Sequence, residues 1–293
     1  MKVGIFGQTN NDITIRFIKT LVDALSKYDT TIAFERNLYK YYRKQHKSNS
    51  FETFTGYRDL SADCDLFFSV GGDGTFLRSI TFVRDLNIPI IGINTGRLGF
   101  LATIQKEKIE EAVAKLIKKD YTIINRSVIS VRTNDNNKDL EELNFALNEI
   151  SISRKNTASM ITVETSLDNE FLTNYWSDGL IIATPTGSTG YSLSCGGPII
   201  SPSSKNFILT PIAPHSLSVR PLVIPDKTII GLKVNSRSNK TLLTLDSRIT
   251  TIYNKTKITI SKGDFTIKTV QLNDQSFIKT LREKLLWGED KRN

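Results

Sequence analysis

The segment Asp65-Leu66-Phe67-Phe68-Ser69-Val70-Gly71-Gly72-Asp73-Gly74-Thr75 runs an apolar stretch straight into three glycines around one aspartate. In α/β sheets, ligands bind beyond the carboxyl ends of the strands, where glycines let backbone amides approach phosphate and a helix N-terminus favours anions. The segment is therefore a phosphate-loop candidate. It lacks the Lys-Ser/Thr of a Walker loop, and its G-G-D-G order is not the G-x-G-x-x-G of dinucleotide oxidoreductases. Asp73 is the distinctive residue, because a carboxylate in an anion-binding loop repels phosphate unless it holds a metal or takes a proton from an attacking hydroxyl. The same residues also fit a plain Gly-Asp-Gly turn in which Asp73 caps the helix.

A second segment, Asp178-Gly179 followed by Thr184-Pro185-Thr186-Gly187-Ser188-Thr189-Gly190-Tyr191-Ser192-Leu193-Ser194, sets small hydroxyl residues and glycines after a strand. Such a run can present donors to a ribose, a phosphate or a base edge, with Tyr191 as a stacking face. It contains no G-x-S-x-G, and the only histidines are His46 and His215, which argues against a Ser-His-Asp hydrolase. His215 is read as a buried structural histidine, Cys195 as a small packed residue and Cys64 as a reduced bystander. Asn148 donates and accepts while Glu149 accepts, a pairing suited to a ribose diol or an exocyclic amine. In a regular strand from Phe145 to Ile152 the two would face opposite sides, so a bulge or strand end is needed there.

The elements that must position these residues fall into two patterns. From Met1 to about Asp120, short apolar runs alternate with helical spacing: strands at Lys2–Gly7, Thr30–Phe34, Asp65–Val70 and Ile88–Ile93, with helices between them. The first helix carries Ile13, Phe17, Ile18, Leu21, Val22 and Leu25, with Asn10 or Asn11 as its N-cap. That is a doubly wound, Rossmann-like α/β domain. After Tyr121 the period becomes two, with strands among them Phe145–Ser153, Lys257–Ile260 and Phe265–Val270, and turn signals at Asn134–Asn137, Leu167–Glu170 and Lys262-Gly263-Asp264. Helical spacing returns from Ser276 to Trp287, with Phe277, Leu281, Leu285 and Leu286 on one side. The expected division is 1–120, an α/β domain with the phosphate loop; 121–270, a β-rich domain; and 271–293, a terminal helix.

The 293 residues are 39% hydrophobic and 24% charged, the composition of a globular chain and not of a disordered one. Two cysteines are too few for a disulfide framework, no apolar run is long enough for a membrane span, and the N-terminus is too soon broken for a signal peptide. A soluble protein of a reducing compartment is expected. The net charge of +9 suggests an anionic partner. Arg36 to Lys47, basic with three tyrosines interleaved, fits either nucleic-acid binding or, the better reading, a solvated face with tyrosines partly packed.

Gly71 to Thr75, Asn94-Thr95-Gly96-Arg97-Leu98-Gly99-Phe100-Leu101, Leu147-Asn148-Glu149, Asp178-Gly179 and Thr184 to Tyr191, continuing through Pro211 to Ser218 and Arg220-Pro221, resemble in order and interval the NAD kinase family. The resemblance spans most of the chain, whereas Gly-Gly-Asp-Gly-Thr alone is shared with phosphofructokinases and lipid kinases. It implies transfer of the γ-phosphoryl group of ATP to the 2'-hydroxyl of the adenosine ribose of NAD, giving NADP. It also implies an α/β first domain, a β-rich second one and a last helix that packs back on the first. By position, Asp73 matches the general base, Gly74 and Thr75 lie near the phosphates, and Arg78 sits where a basic residue often follows the loop. Phe100 matches an aromatic beside the adenine, and Asn148 and Glu149 match the pair on the nucleotide's ribose and adenine side. Asp178, Thr189, Gly190, Tyr191, Ser192, Leu193 and Ser194 match further NAD contacts, and Asp246 a carboxylate near the site. Mg²⁺ as the divalent cation, a cytoplasmic location and a homo-oligomer, dimer or tetramer, come with the resemblance, as do NAD, NADP and ATP as partners without nucleic acid or membrane. No metal ligand is assigned.

The chain departs from the family pattern at Gly190, where many members have Ala, at Trp176, where Arg is frequent, at Ser159, where a basic residue or His is common, and at Arg248, where Gln is common. These changes bear on how the nicotinamide side is held. The rival readings are a related diacylglycerol or sugar kinase and a nonenzymatic nucleotide- or nucleic-acid-binding protein.

Overall fold

The computed structural model describes residues 1–9, 12–46, 50–60, 63–96, 98–135, 137–155 and 159–287. Asn10 and Asn11, read as N-caps, and Lys47, Arg97 and Asn136 lie outside them. The chain divides into two units, Met1–Asn125 with Ile267–Asn293, and Arg126–Thr266. The first unit opens β1 (Lys2–Gly7), α1 (Asp12–Leu25), β2 (Thr31–Glu35), α2 (Arg36–Gln45), β3 (Glu52–Phe54), β4 (Leu66–Gly71), α3 (Asp73–Val83), β5 (Ile90–Asn94), β6 (Ile104–Gln105) and α4 (Ile109–Ile117). After β7 (Tyr121–Thr133) come β8 (Phe145–Ala146), β9 (Glu149–Arg154), β10 (Ile161–Leu167), β11 (Glu170–Ser177), β12 (Gly179–Ala183), α5 (Tyr191–Ser194), β13 (Asn206–Ile212) and β14 (Leu222–Pro225). The chain closes with β15 (Ile230–Asn235), β16 (Lys240–Leu245), β17 (Arg248–Tyr253), β18 (Lys257–Leu272) and α6 (Phe277–Leu285).

In the first unit the parallel strands lie in the order β5-β4-β1-β2-β3, with Val3 opposite Leu66 and Phe67 opposite Ile90. A parallel strand covered on both faces must be apolar throughout, and Leu66 to Gly71 is buried at every position. Helix α1 buries Ile15, Ile18, Leu21, Val22 and Leu25 in the same core as Val3, Ile5, Phe68 and α4's Val113 and Leu116. The expected stripe is corrected at its start: Ile13 is 52% exposed, and Ile15 takes the inward place three residues before Ile18. Helix α6 packs back on this unit. Ser276 caps it by accepting from the Lys279 amide, Gln275 bonds Thr103, and Lys284 donates to the Leu98 carbonyl. Its expected apolar side is narrower than the spacing suggests, because only Leu281 of the four is buried and Leu286, with left-handed φ, lies exposed past the helix end.

The basic stretch forms α2, capped by the Glu35 carboxylate, which accepts from the Asn37 and Leu38 amides. Its tyrosines are engaged inward: Tyr42 stacks on Phe34 at 5.3 Å, Tyr41 donates to Asp12 and Tyr39 packs against the core. The basic side chains are thus a solvated face, as the second reading had it.

The second unit holds two antiparallel sheets, β11-β10-β15 with the first half of β18, and β14-β13-β12-β9-β16-β17. Their inner faces share a core of Ile150, Ile152, Val163, Leu180, Phe207, Leu243 and Ile260. The β10–β11 turn is as expected, with Asp168 and Asn169 both at positive φ. Lys262-Gly263-Asp264, expected as a turn, is instead the middle of the continuous strand β18. Gly263 is there for room: a Cβ on it would lie 2.5 Å from Val128 Cγ2. No helix among the described residues is long and apolar enough to cross a membrane. The strand reading makes a prediction about Gly263→Val: it should cost about 1–3 kcal/mol of stability by overpacking, read as a lowered urea midpoint, whereas an unchanged midpoint would favour the turn.

Candidate functional site

In the first unit, β4 ends at Gly71 and α3 begins at Asp73 with Gly72 as N-cap, so the helix's first amides are left without a side-chain cap. Asp73 does not cap its helix. Its carboxylate reaches the 94–102 loop, where Oδ2 accepts from the Phe100 amide at 2.8 Å and Oδ1 from Leu101 at 3.0 Å and Ala102 at 2.9 Å. The loop can come this close because residue 99 is glycine: a Cβ there would sit 2.0 Å from Asp73 Oδ1. Buried Asn94 fixes the other end, accepting from the Gly96 amide at 2.7 Å. Gly74 is exposed, while Thr75 is buried with its hydroxyl unpartnered. Arg78 is exposed and sets its guanidinium over the Phe6 ring at 5.3 Å, and Phe100 is half-buried beside its bonded amide.

In the second unit the expected strand Phe145–Ser153 is broken: β8 stops at Ala146 and β9 starts at Glu149. The strand end that the parity argument required is present, and a second carboxylate makes it. Asp246, at positive φ in the β16–β17 turn with its side chain only 1% exposed, accepts from the amides of Leu147 at 3.0 Å, Asn148 at 2.8 Å and Glu149 at 3.3 Å. Thr184 closes the break from the other side, its amide donating to the Asn148 carbonyl at 2.8 Å and its hydroxyl to the Leu147 carbonyl at 2.5 Å. Gly187 is needed for the same closeness, since a Cβ there would be 2.0 Å from the Asn148 carbonyl oxygen. Arg248 braces the approach by donating to the Leu143 and Phe145 carbonyls, and its guanidinium is 4.0 Å from Asp246 Oδ2.

The result is a pair of buried polar atoms, Asn148 Oδ1 and Glu149 Oε2, without a hydrogen-bond partner. Burying such atoms unpaired costs free energy, so their persistence marks a place for a ligand's donors and acceptors. Gly190 borders them, its absent Cβ position 3.0 Å from Glu149 Oε2 and 3.2 Å from Asn148 Nδ2. Tyr191, next along, is 44% exposed and keeps a ring face open, and its amide donates to Glu149. Burial first, then the negative charge of Asp246, pushes the Glu149 carboxyl up to about 8. Asp246 is also raised by burial, against which its three amides and Arg248 act.

Of the other candidates, Asp178 is ion-paired with Arg154 at 2.8 Å. Ser192 is buried with its hydroxyl on Thr210 at 2.8 Å, Thr189's hydroxyl donates to the Thr186 carbonyl, Leu193 is half-buried and Ser194 exposed. Within this unit the structure thus brings Asn148, Glu149, Gly190, Tyr191 and Asp246 together, with Asp178 bearing on Tyr191 while ion-paired to Arg154. His215 is exposed, contrary to expectation, and lies against the half-exposed Trp176 with ring centroids 4.3 Å apart. Its Pro-rich turn runs over the surface, which leaves the ring exposed apart from the Trp176 contact. Cys64 is buried and its thiol is pushed up to about 11 by desolvation, which leaves it inert, and Cys195 is partly buried. Thr184, Gly187 and Arg248 shape the site without having been singled out as site residues. The Thr-Pro-Thr-Gly run was the only signal for the first two.

Residues 3–121 match the model of the ATP-NAD kinase N-terminal domain, and residues 147–272 that of the C-terminal domain. The chain belongs to the NAD kinase family. It is 51% identical over 294 residues to an NAD kinase of Christiangramia forsetii and 48% identical over 295 residues to one of Flavobacterium psychrophilum, both matches covering 100% of each chain. Among solved structures it is similar to a yeast NADH kinase complexed with NADH, 25% identical, with a TM-score of 0.89 over 99% of this chain and 89% of that one. It is also similar to an NAD kinase from Archaeoglobus fulgidus in complex with ATP, 26% identical, TM-score 0.77, covering 98% and 99%. Family membership and fold therefore stand as the resemblance implied, and neither the lipid or sugar kinase nor the nonenzymatic binding protein is favoured.

The raised Glu149 carboxyl has a consequence for stability. Its value in the folded chain, about 8, exceeds the ordinary 4.5, so the folded state holds the proton more tightly and stability is lost as pH rises through that window. Glu149→Gln removes the titration. The variant should therefore gain in Tm relative to the parent chain on going from about pH 5 to about pH 8.5, by on the order of 2–4 °C for each kcal/mol relieved. A difference in Tm that does not change with pH would contradict the assignment.

Proposed function

We infer that the chain is an NAD kinase that moves the γ-phosphoryl group of ATP to the 2'-hydroxyl of the adenosine ribose of NAD, with Asp73 as the general base. The observation that carries this is the match of residues 3–121 and 147–272 to the two kinase domains, with the unpartnered Asn148–Glu149 pair held beside a 44% exposed tyrosine. Phosphoryl transfer asks of a protein mostly positioning and charge neutralisation, plus a carboxylate oriented on the acceptor hydroxyl. Asp73 suits the last role. Its Oδ1 takes two amide bonds but its Oδ2 only one, leaving that oxygen capacity for a hydroxyl proton. The uncapped start of α3 suits phosphate, Asn148 and Glu149 suit ribose hydroxyls, and Tyr191 suits stacking on a ring.

Among the described residues no three His, Cys, Asp or Glu side chains gather to hold a metal. In this reading a divalent cation arrives on the donor's phosphates. The reading includes a cytoplasmic homo-oligomer, dimer or tetramer, on the strength of the family resemblance.

The test is NADP formation from NAD, ATP and Mg²⁺, coupled to an NADP-specific dehydrogenase. Asp73→Asn should lower turnover by about 10² or more while NAD binding persists. The amide clamp predicts a lower Tm for the same variant, so turnover must be measured well below its melting range. Near-parental turnover would remove Asp73 from the mechanism, and no turnover with any donor despite NAD binding would make the chain a nucleotide sensor.

A further inference from the structure

The place of Glu149 goes beyond that of a simple acceptor. Glu149 is 9% exposed at the start of β9, and its Oε2 is buried without a partner. Directly behind it in the chain fold lies Asp246, whose carboxylate takes the amides of Leu147, Asn148 and Glu149 itself. Three backbone donors are the arrangement that holds a buried carboxylate ionised. Arg248 stands by Asp246 and gives its donors to the Leu143 and Phe145 carbonyls. From α5, Tyr191 faces the group, with Cys195 just past the helix end bearing on Tyr191, and both are pushed above their ordinary values of 10.0 and 9.0 by burial. Asp178 bears on Tyr191 and is paired with Arg154. Strand β12, which pairs with β9, carries no titratable side chain. Burial raises both carboxyls, but Asp246 has three amide donors and Arg248 to oppose it while Glu149 has only the Tyr191 amide and bears the charge of Asp246, so the proton goes to Glu149.

We propose that Glu149 meets the nucleotide as a neutral carboxylic acid, donating its proton to an acceptor atom of the ribose or adenine, and that Asp246 is the positioning residue that keeps it in that state. The proposal rests on the reading of this cluster as the NAD-binding one. It specifies what the ligand must present there: an acceptor, and no anionic group within reach of Glu149. The raised value of about 8 agrees with it.

The experiment is calorimetric titration of the full chain with NAD, without ATP, from about pH 6 to about pH 9.5. The parent chain should hold a constant Kd up to about pH 8 and then weaken by up to about tenfold for each further pH unit, as the acid ionises. Glu149→Gln, neutral throughout with an amide donor in the same place, should bind within about threefold of the parent at low pH and stay level across the range; Glu149→Ala should be weak at every pH. Asp246→Asn removes the like charge and should shift the fall in affinity to lower pH, which a purely structural loss would not do. A parental affinity that is flat or improves with pH, or a Gln variant as weak as the Ala one, overturns the inference while leaving NAD binding in place. No binding of NAD at any pH overturns the functional reading, and the inference with it.

Discussion

A carboxylate accepting three consecutive backbone amides is the interaction that shapes both candidate loops. Asp73 does this to Phe100–Ala102 in the first unit, and Asp246 to Leu147–Glu149 in the second. Charge-assisted bonds of this kind are each worth about 1.5–3 kcal/mol, and a charge withdrawn from water needs them. In each case the clamped amides lie where regular structure is interrupted, so the carboxylate stands in for the ladder partner a strand would have had. The glycines follow from the same constraint. Gly99 and Gly187 are where the backbone passes too close to a clamped group for any Cβ.

The two clamps differ in what they leave over. Asp73 is partly exposed and has one oxygen with spare capacity, whereas Asp246 is sealed in the β16–β17 turn. A base must reach its substrate, and an anchor need not. The resemblance to the family placed both aspartates near the nucleotide, and packing separates them: the proposed base keeps access to solvent, while the other is closed around the backbone of Leu147, Asn148 and Glu149.

Much of this was legible in the residues themselves. The run Leu66 to Val70, apolar but for Ser69, reads as a doubly covered parallel strand, and the glycines after it as the mouth of a ligand loop. The parity of Asn148 and Glu149 demanded an interruption, and β8 and β9 are separated at that point. Other parts depended on long-range partners that a single chain does not display. Gly263 looks like a turn residue because its reason, the Val128 side chain, lies more than a hundred residues away. Asp246 carries no local mark of its three amides, and His215 looks enclosed by prolines although its turn is exposed. The short strands β3, β6, β14 and β17 went unread, their existence owed to the neighbours they pair with.

The most direct measurement of the central claim is peptide-level hydrogen–deuterium exchange across residues 98–103 and 145–151, in the parent chain and in Asp73→Ala and Asp246→Ala. The clamps predict slow exchange of both peptides in the parent chain, with each variant losing protection only at its own clamp while β4 and β12 keep theirs. Exchange at those amides that is fast in the parent chain, or unchanged by loss of the carboxylate, would contradict the account.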